Sequence, residues 1–160
     1  MGDWDRDTTT DQVLAGVDLS GRRMVVTGAS GGLGEETARA LAAAGASVVM
    51  AARNPAKNEE AAGRIRDRHP SADLELRELD LGSLAAVRDF AGGFLADHDG
   101  LHVLVNNAGI MCTPFGTTAN GFEQQFGVNH LGHFLLTGLL LPALTTAAPS
   151  RVVCLSSGAH

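Results

Sequence analysis

The chain has 160 residues, with 12 basic and 18 acidic side chains and a net charge of −6. That length supports one domain with a sizeable core, and the acidic balance excludes nucleic acid as the main partner, because phosphate contacts need a basic face. Two cysteines, Cys112 and Cys154, are too few for a disulfide framework and point to reduced thiols in a cytoplasmic protein.

Residues 1–21 read as a lead-in. Their start, MGDWDRDTTTDQ, is acidic and polar with no signal-peptide character; 1–10 is expected to be mobile and 11–15 to form one helical turn. Residues 22–160 read as a single unit. Its first strand covers 22–27, and a helix follows over 32–44, with Leu33, Thr37 and Leu41 at i, i+4, i+8 on one face and Gly45 as its C-terminal cap. Residues 46–52 (ASVVMAA) are a continuous apolar run, as a strand buried on both faces requires. A second helix starts at Pro55 and ends near His69 and Pro70; its Arg64, Arg66 and Arg68, interleaved with Asp67, read as a solvated face. Residues 74–79 (LELREL) alternate and predict a third strand nearer an edge. Residues 80–83 break it and can cap a helix over 84–97. LHVLVN at 101–106 predicts a fourth strand and 107–120 a loop. A long helix is expected over 121–141. Its first half is amphipathic, with Phe122, Phe126 and His133 on one side, and its second half is apolar nearly all round and so should be buried. The longest apolar run, 134–144, is too short to span a bilayer and is interrupted by Pro142. RVVCL at 151–155 predicts a fifth strand. Strands alternating with helices imply a parallel sheet with right-handed crossovers.

The chain is organised around VVTGASGGLG at 25–34, in the order strand, glycine turn, helix. Gly28 lets the strand turn, Gly32 leaves room for a phosphate, and Gly34 lets the helix pack close to the strand; a pyrophosphate would sit on the unpaired amides at the helix start, beside Gly31. The spacing Gly-x-x-x-Gly-x-Gly differs from the standard dinucleotide fingerprint, and a plain glycine-rich turn is the competing reading. His130 and His133 lie one turn apart, but no third ligand has suitable spacing, so packing and hydrogen bonding is preferred to a metal site. Cys154 is expected to face the sheet interior and Cys112 to lie in a loop where nothing activates it.

Five stretches together resemble the short-chain dehydrogenase/reductase family, in detail its retinol-dehydrogenase-like branch: TGASGGLG, Arg53 after the second strand, LDLGSL at 79–84, NNAG at 106–109, and VNHLGHF at 128–134 followed by VVCLSS at 152–157. The resemblance implies a Rossmann-type doubly wound parallel sheet of order 3-2-1-4-5, ending after its fifth strand, with 22–160 as a dinucleotide-binding domain. It implies that Gly28, Ser30, Gly31, Gly32, Leu33 and Gly34 hold the cofactor. No acidic residue ends the second strand, and Arg53 stands where a guanidinium pairs with a 2′-phosphate, favouring NADP(H) over NAD(H). By the same likeness Asp80 binds the adenine amino group with Leu81 beside the ring, although Asp80 also reads as a helix N-cap. Asn106, Ala108 and Gly109 would let the cofactor ribose approach the backbone. For Asn107 a cofactor role and a tie between strands are equally open. Asn129, a poor helix former, would hold a water for proton relay. Ser157, with Ser156 as fallback, would hydrogen-bond the substrate.

The family's reaction is hydride transfer between a nicotinamide and an alcohol or carbonyl, with the proton handled by a Tyr-x-x-x-Lys pair. This sequence contains no tyrosine, and His160, at the frayed end, is not a replacement. The chain by itself is therefore expected to be inactive, with an exposed fifth strand and an uncovered flank on the long helix 121–141, through which it would self-associate. A non-catalytic NADP(H)-binding or sensing module, or a truncated product without function, stands as the alternative.

Overall fold

The computed structural model describes residues 4–158; the expectations for the first three residues and for His160 lie outside them. Five parallel strands form one sheet in the order β3-β2-β1-β4-β5, the Rossmann-type order expected. They are β1 (Arg23–Thr27), β2 (Ser47–Ala52), β3 (Asp73–Glu78), β4 (Val103–Asn106) and β5 (Arg151–Cys154). Register pairs Val25 with Val49 and Leu104, and Leu104 with Val152.

Alternate side chains of the central strands feed two cores. Val25, Val49 and Leu104 pack with Phe90, Phe94, Leu136 and Leu140, which belong to α4 (Leu84–Asp97) and α6 (Gly132–Thr146). Met24, Val26, Val48, Met50 and Val105 pack with Ala38, Ala42, Ala61, Ala62 and Ile65, from α2 (Gly32–Ala43) and α3 (Pro55–Arg68). Burial on both faces explains the uninterrupted apolar runs of β1 and β2.

The inward face of α2 is Gly34, Ala38 and Ala42, whereas Leu33 is 72% exposed and Thr37 and Leu41 only half-buried. Small side chains win that face because the helix lies close to the sheet; Leu33 is left outside, while Leu41 packs part-buried against the edge of that core. Gly45, at φ +96, does close the helix. α3 starts at Pro55 behind an Asn54 cap. Its Arg64 reaches Glu35 of α2 with two hydrogen bonds of 2.8 and 2.7 Å.

The lead-in is tied to the rest of the chain from Thr10 onward. α1 (Thr10–Val13) starts one residue early, behind a capping box of Thr9 and Gln12. It is tied to α2 by the buried Arg39 guanidinium, which bonds Asp11, Glu36 and Thr10. The Arg39 hydrogen bonds pull the Glu36 carboxyl down to about 2.

The long helix starts three residues later than expected and runs further. Gly121 at φ +81 and a bridge between Thr117 and Glu123 occupy the predicted first turn. Glu123 then caps the amides of Gln125 and Phe126. The helix proceeds as α5 (Gln124–Phe126), a π turn (Gly127–Leu131) and α6, which carries Pro142 inside it. Phe122 and Phe126 are exposed and do not share the buried side of His133, and Phe134 (73%) and Leu141 (56%) leave the second half open on one flank. As one 23-residue helix, Gln124–Thr146 is long and apolar enough to cross a membrane by length and composition, although Leu136, Leu140, Ala143 and Leu144 are core residues. β5 is an outer strand with all four residues exposed, and Cys154 is exposed rather than interior.

Candidate functional site

Because all five strands are parallel, their carboxyl ends share one edge. The chain order reverses there between β1 and β4, the place where open sheets of this kind bind ligands. The loop after β1 and the loop after β4 touch at that point. A Cβ on Gly28 (φ +67) would stand 2.9 Å from Ala108 Cα, and one on Gly34 would overlap the Gly28 carbonyl and stand 2.5 Å from Asn107 Nδ2. Gly31 and Gly32 face open space instead. Gly31, at the N-cap of α2, offers no side-chain oxygen to the helix amides, which leaves them available to an anion. Of the predicted cofactor residues, Gly28, Ser30, Gly31, Gly32, Leu33 and Gly34 thus share one turn, with the exposed Leu33 at its rim.

Thr27 joins the two loops. Its Oγ1 accepts the Asn107 and Ala108 amides, each at 2.9 Å, and Asn107 Nδ2 donates to Thr27 O at 2.7 Å. The tie between strands is therefore observed for Asn107. With both lone pairs used, the hydroxyl has one proton left to give. The nearer acceptor is His133 Nε2 at 2.9 Å, against Val105 O at 3.3 Å. His133 Nδ1 lies 3.0 Å from Asn129 O. A carbonyl can only accept, so Nδ1 carries the ring proton and Nε2 is the acceptor. Burial pushes the His133 imidazole below its ordinary pKa, and His130 adds to this while the bond to Asn129 opposes it. His130 itself stacks between Phe126 and Phe134, at centroid distances of 5.2 and 6.3 Å.

Asn129 sits in the π turn, a helical irregularity often found at functional positions. Its side chain is bound at both ends to one neighbour: Oδ1 accepts from Ile110 N and Nδ2 donates to Ile110 O, both at 2.8 Å. Gly109 lies against it, since a Cβ there would be 3.6 Å from Asn129 Oδ1. The cap of α4 is Ser83, not Asp80; Asp80 Oδ1 accepts the Gly82 amide in a tight turn at 2.9 Å. Leu81 is buried, and its carbonyl would stand 2.5 Å from a Cβ on Gly132, so this loop rests on the start of α6. Asn106 is buried with its amide on Thr137 Oγ1, 3.0 Å away, on the α6 side of the sheet. Arg53 is exposed just past β2, with no hydrogen bond or ion pair among the described residues. Ser156 and Ser157 follow β5 at the same edge. The sequence reading missed Thr27 and Ile110 as the points that hold these loops, although the Thr-Gly pair opening the glycine turn was a usable signal.

A parallel sheet of this order, with a glycine turn at its switch point, defines a Rossmann-type α/β protein. A family model for short chain dehydrogenases matches residues 22–160, and the chain belongs to that family. Retinol dehydrogenase 12 of Homo sapiens is 52% identical over 144 residues, covering 90% of this chain and 46% of that protein. The chain thus spans just under half the length of the curated relatives it matches. The crystal structure of an uncharacterized protein from Mycobacterium paratuberculosis is 49% identical with a TM-score of 0.76, covering 90% of this chain and 49% of that one. A metagenomic short-chain oxidoreductase in complex with NADP is 34% identical with a TM-score of 0.72, covering 84% of this chain and 61% of that one.

Proposed function

We propose that this chain forms the nucleotide-binding part of an NADP(H)-dependent oxidoreductase acting on an alcohol or carbonyl. The observation that carries the reading is the pressed pair of loops at the switch point. Gly28 and Gly34 are packed against Asn107 and Ala108, while Gly31 and Gly32 stay open over the uncapped start of α2. That cradle fits a pyrophosphate. Asp80 and Leu81 would hold the adenine, and Asn106, Ala108 and Gly109 would line the ribose. When bound, the nicotinamide supplies or takes the hydride. Asn129, fixed on Ile110, and Ser157 at the end of β5 would order water and substrate. With no tyrosine in the sequence, the chain by itself is proposed to bind nucleotide without turning over, as the sensing-module reading also requires. The relatives named retinol dehydrogenases support a hydrophobic substrate. The two free thiols support a cytoplasmic setting, and the exposed Phe126, Phe134 and Leu141 support self-association through the long helix.

The unpaired, exposed Arg53 supports NADP(H). Titration with NADPH and NADH, followed by fluorescence, tests it. Arg53→Ala is expected to weaken NADPH by about tenfold or more and NADH by less than about twofold, the loss of one charge-assisted phosphate contact. Equal losses for both nucleotides would remove Arg53 from the 2′-phosphate.

A further inference from the structure

We propose that His133 is a positioning residue of the nucleotide site: as the Nδ1–H tautomer its Nε2 accepts a hydrogen bond from the Thr27 hydroxyl and locks together the amides that follow β4 and the turn that carries Asn129. The proposal rests on the nucleotide reading above and deepens it. One buried ring spans three pieces of that site. Nε2 meets Thr27 on β1, Thr27 Oγ1 holds Asn107 and Ala108 beyond β4, and Nδ1 meets the carbonyl of Asn129 in the π turn. Asn129 in turn holds Ile110 at both ends of its side chain. The glycine turn leans on the same residues, since Gly28 contacts Ala108 and Gly34 contacts Asn107. A shift of Thr27 Oγ1 therefore moves the floor of the cradle.

The arrangement tolerates only a neutral ring. An imidazolium would present a second N–H to Thr27 Oγ1, whose two lone pairs are already taken by backbone amides. Protonation must eject one of them. Among the described residues, the groups meeting the ring are the Thr27 hydroxyl and the Asn129 carbonyl, and His130 is the titratable neighbour acting on it. Among the described residues no carboxylate pairs with the ring to favour the cation. Burial holds the ring's pKa below the ordinary 6.5, so the folded protein keeps the neutral form at 6.5 and loses it only as pH falls through the lowered value.

The test measures NADPH affinity for wild type, His133→Leu and His133→Gln from about pH 7.5 to about pH 5.5. Leucine removes both hydrogen bonds, and about a tenfold loss of affinity is expected at the upper pH. Glutamine keeps an acceptor for Thr27 but has no titrating nitrogen, and is expected to recover most of that loss. Wild-type affinity should then fall more steeply with acid than that of His133→Gln; the 2′-phosphate titrates in the same range in both, so their difference isolates His133. Imidazole nitrogen shifts by NMR on the wild type should show the Nδ1–H tautomer at neutral pH, a readout that holds if the variants fail to fold. A folded His133→Leu that binds as tightly as wild type, parallel pH profiles, or an Nε2–H tautomer would overturn the proposal. Failure of the wild type to bind NADPH at any pH would overturn the nucleotide reading itself and this proposal with it.

Discussion

Gly34→Ala is expected to destabilise the chain by about 3 kcal/mol and to abolish nucleotide binding. The new Cβ would overlap the Gly28 carbonyl oxygen and stand 2.5 Å from Asn107 Nδ2. One obstacle is backbone and the other is an amide already committed to Thr27 O, so neither can yield as the tip of a flexible side chain would. Relief requires α2 to lift from β1, which opens the Ala38 and Ala42 contacts with the sheet. Gly31→Ala separates packing from ligand. Its backbone is extended and a Cβ there meets open space, so its stability should change by less than about 0.5 kcal/mol while a bound phosphate would be obstructed. Urea unfolding of both variants checks the contrast. A Gly34→Ala protein as stable as wild type would mean that the helix is not pressed onto the turn.

Thr27→Val is expected to cost about 3 kcal/mol, and Thr27→Ser about 1 kcal/mol, the latter for a lost buried methyl. Valine preserves shape, so packing is nearly constant. What disappears is the oxygen that accepts the Asn107 and Ala108 amides and the proton given to His133. A hydrogen bond contributes only about 1 kcal/mol net, but each donor stranded without water costs roughly 1–3 kcal/mol. The stranded groups therefore decide the effect. Hydrogen exchange at the amides of Asn107 and Ala108 should accelerate in the valine variant and stay slow in the serine one. Unchanged protection in Thr27→Val would show that the hydroxyl is not their anchor.

The sequence made the sheet legible because its central strands are buried on both faces and read as unbroken apolar runs, and α3 and α4 announced themselves through Pro55 and the residue 80–83 break. Side-chain choice on α2 was not legible. Hydrophobicity pointed to Leu33 as well as Leu41; Leu41 does pack against the core, but a helix pressed onto a sheet fills its closest face with Gly34, Ala38 and Ala42 and leaves Leu33 exposed, and apolar periodicity does not weigh closeness. The long helix was blurred for another reason. Its π turn breaks the regular period just where Asn129 lies, and its start is set by Glu123 capping rather than by any apolar residue. In the site, the residues that touch across loops were visible as short motifs. The link from Thr27 to His133 was not, because it joins positions 106 residues apart and a lone histidine on a helix reads as packing.

The central claim is that the loops after β1 and β4 form one nucleotide cradle. Proton–nitrogen correlation spectra of this chain, recorded during titration with NADPH, test it most directly. The account predicts saturable shifts concentrated at the amides of Gly31, Gly32, Leu33 and Gly34 and at Asn107 to Gly109, with smaller changes on the α3 and α4 surfaces away from that edge. Saturation without movement of those amides, or shifts confined to the opposite edge of the sheet, would contradict it.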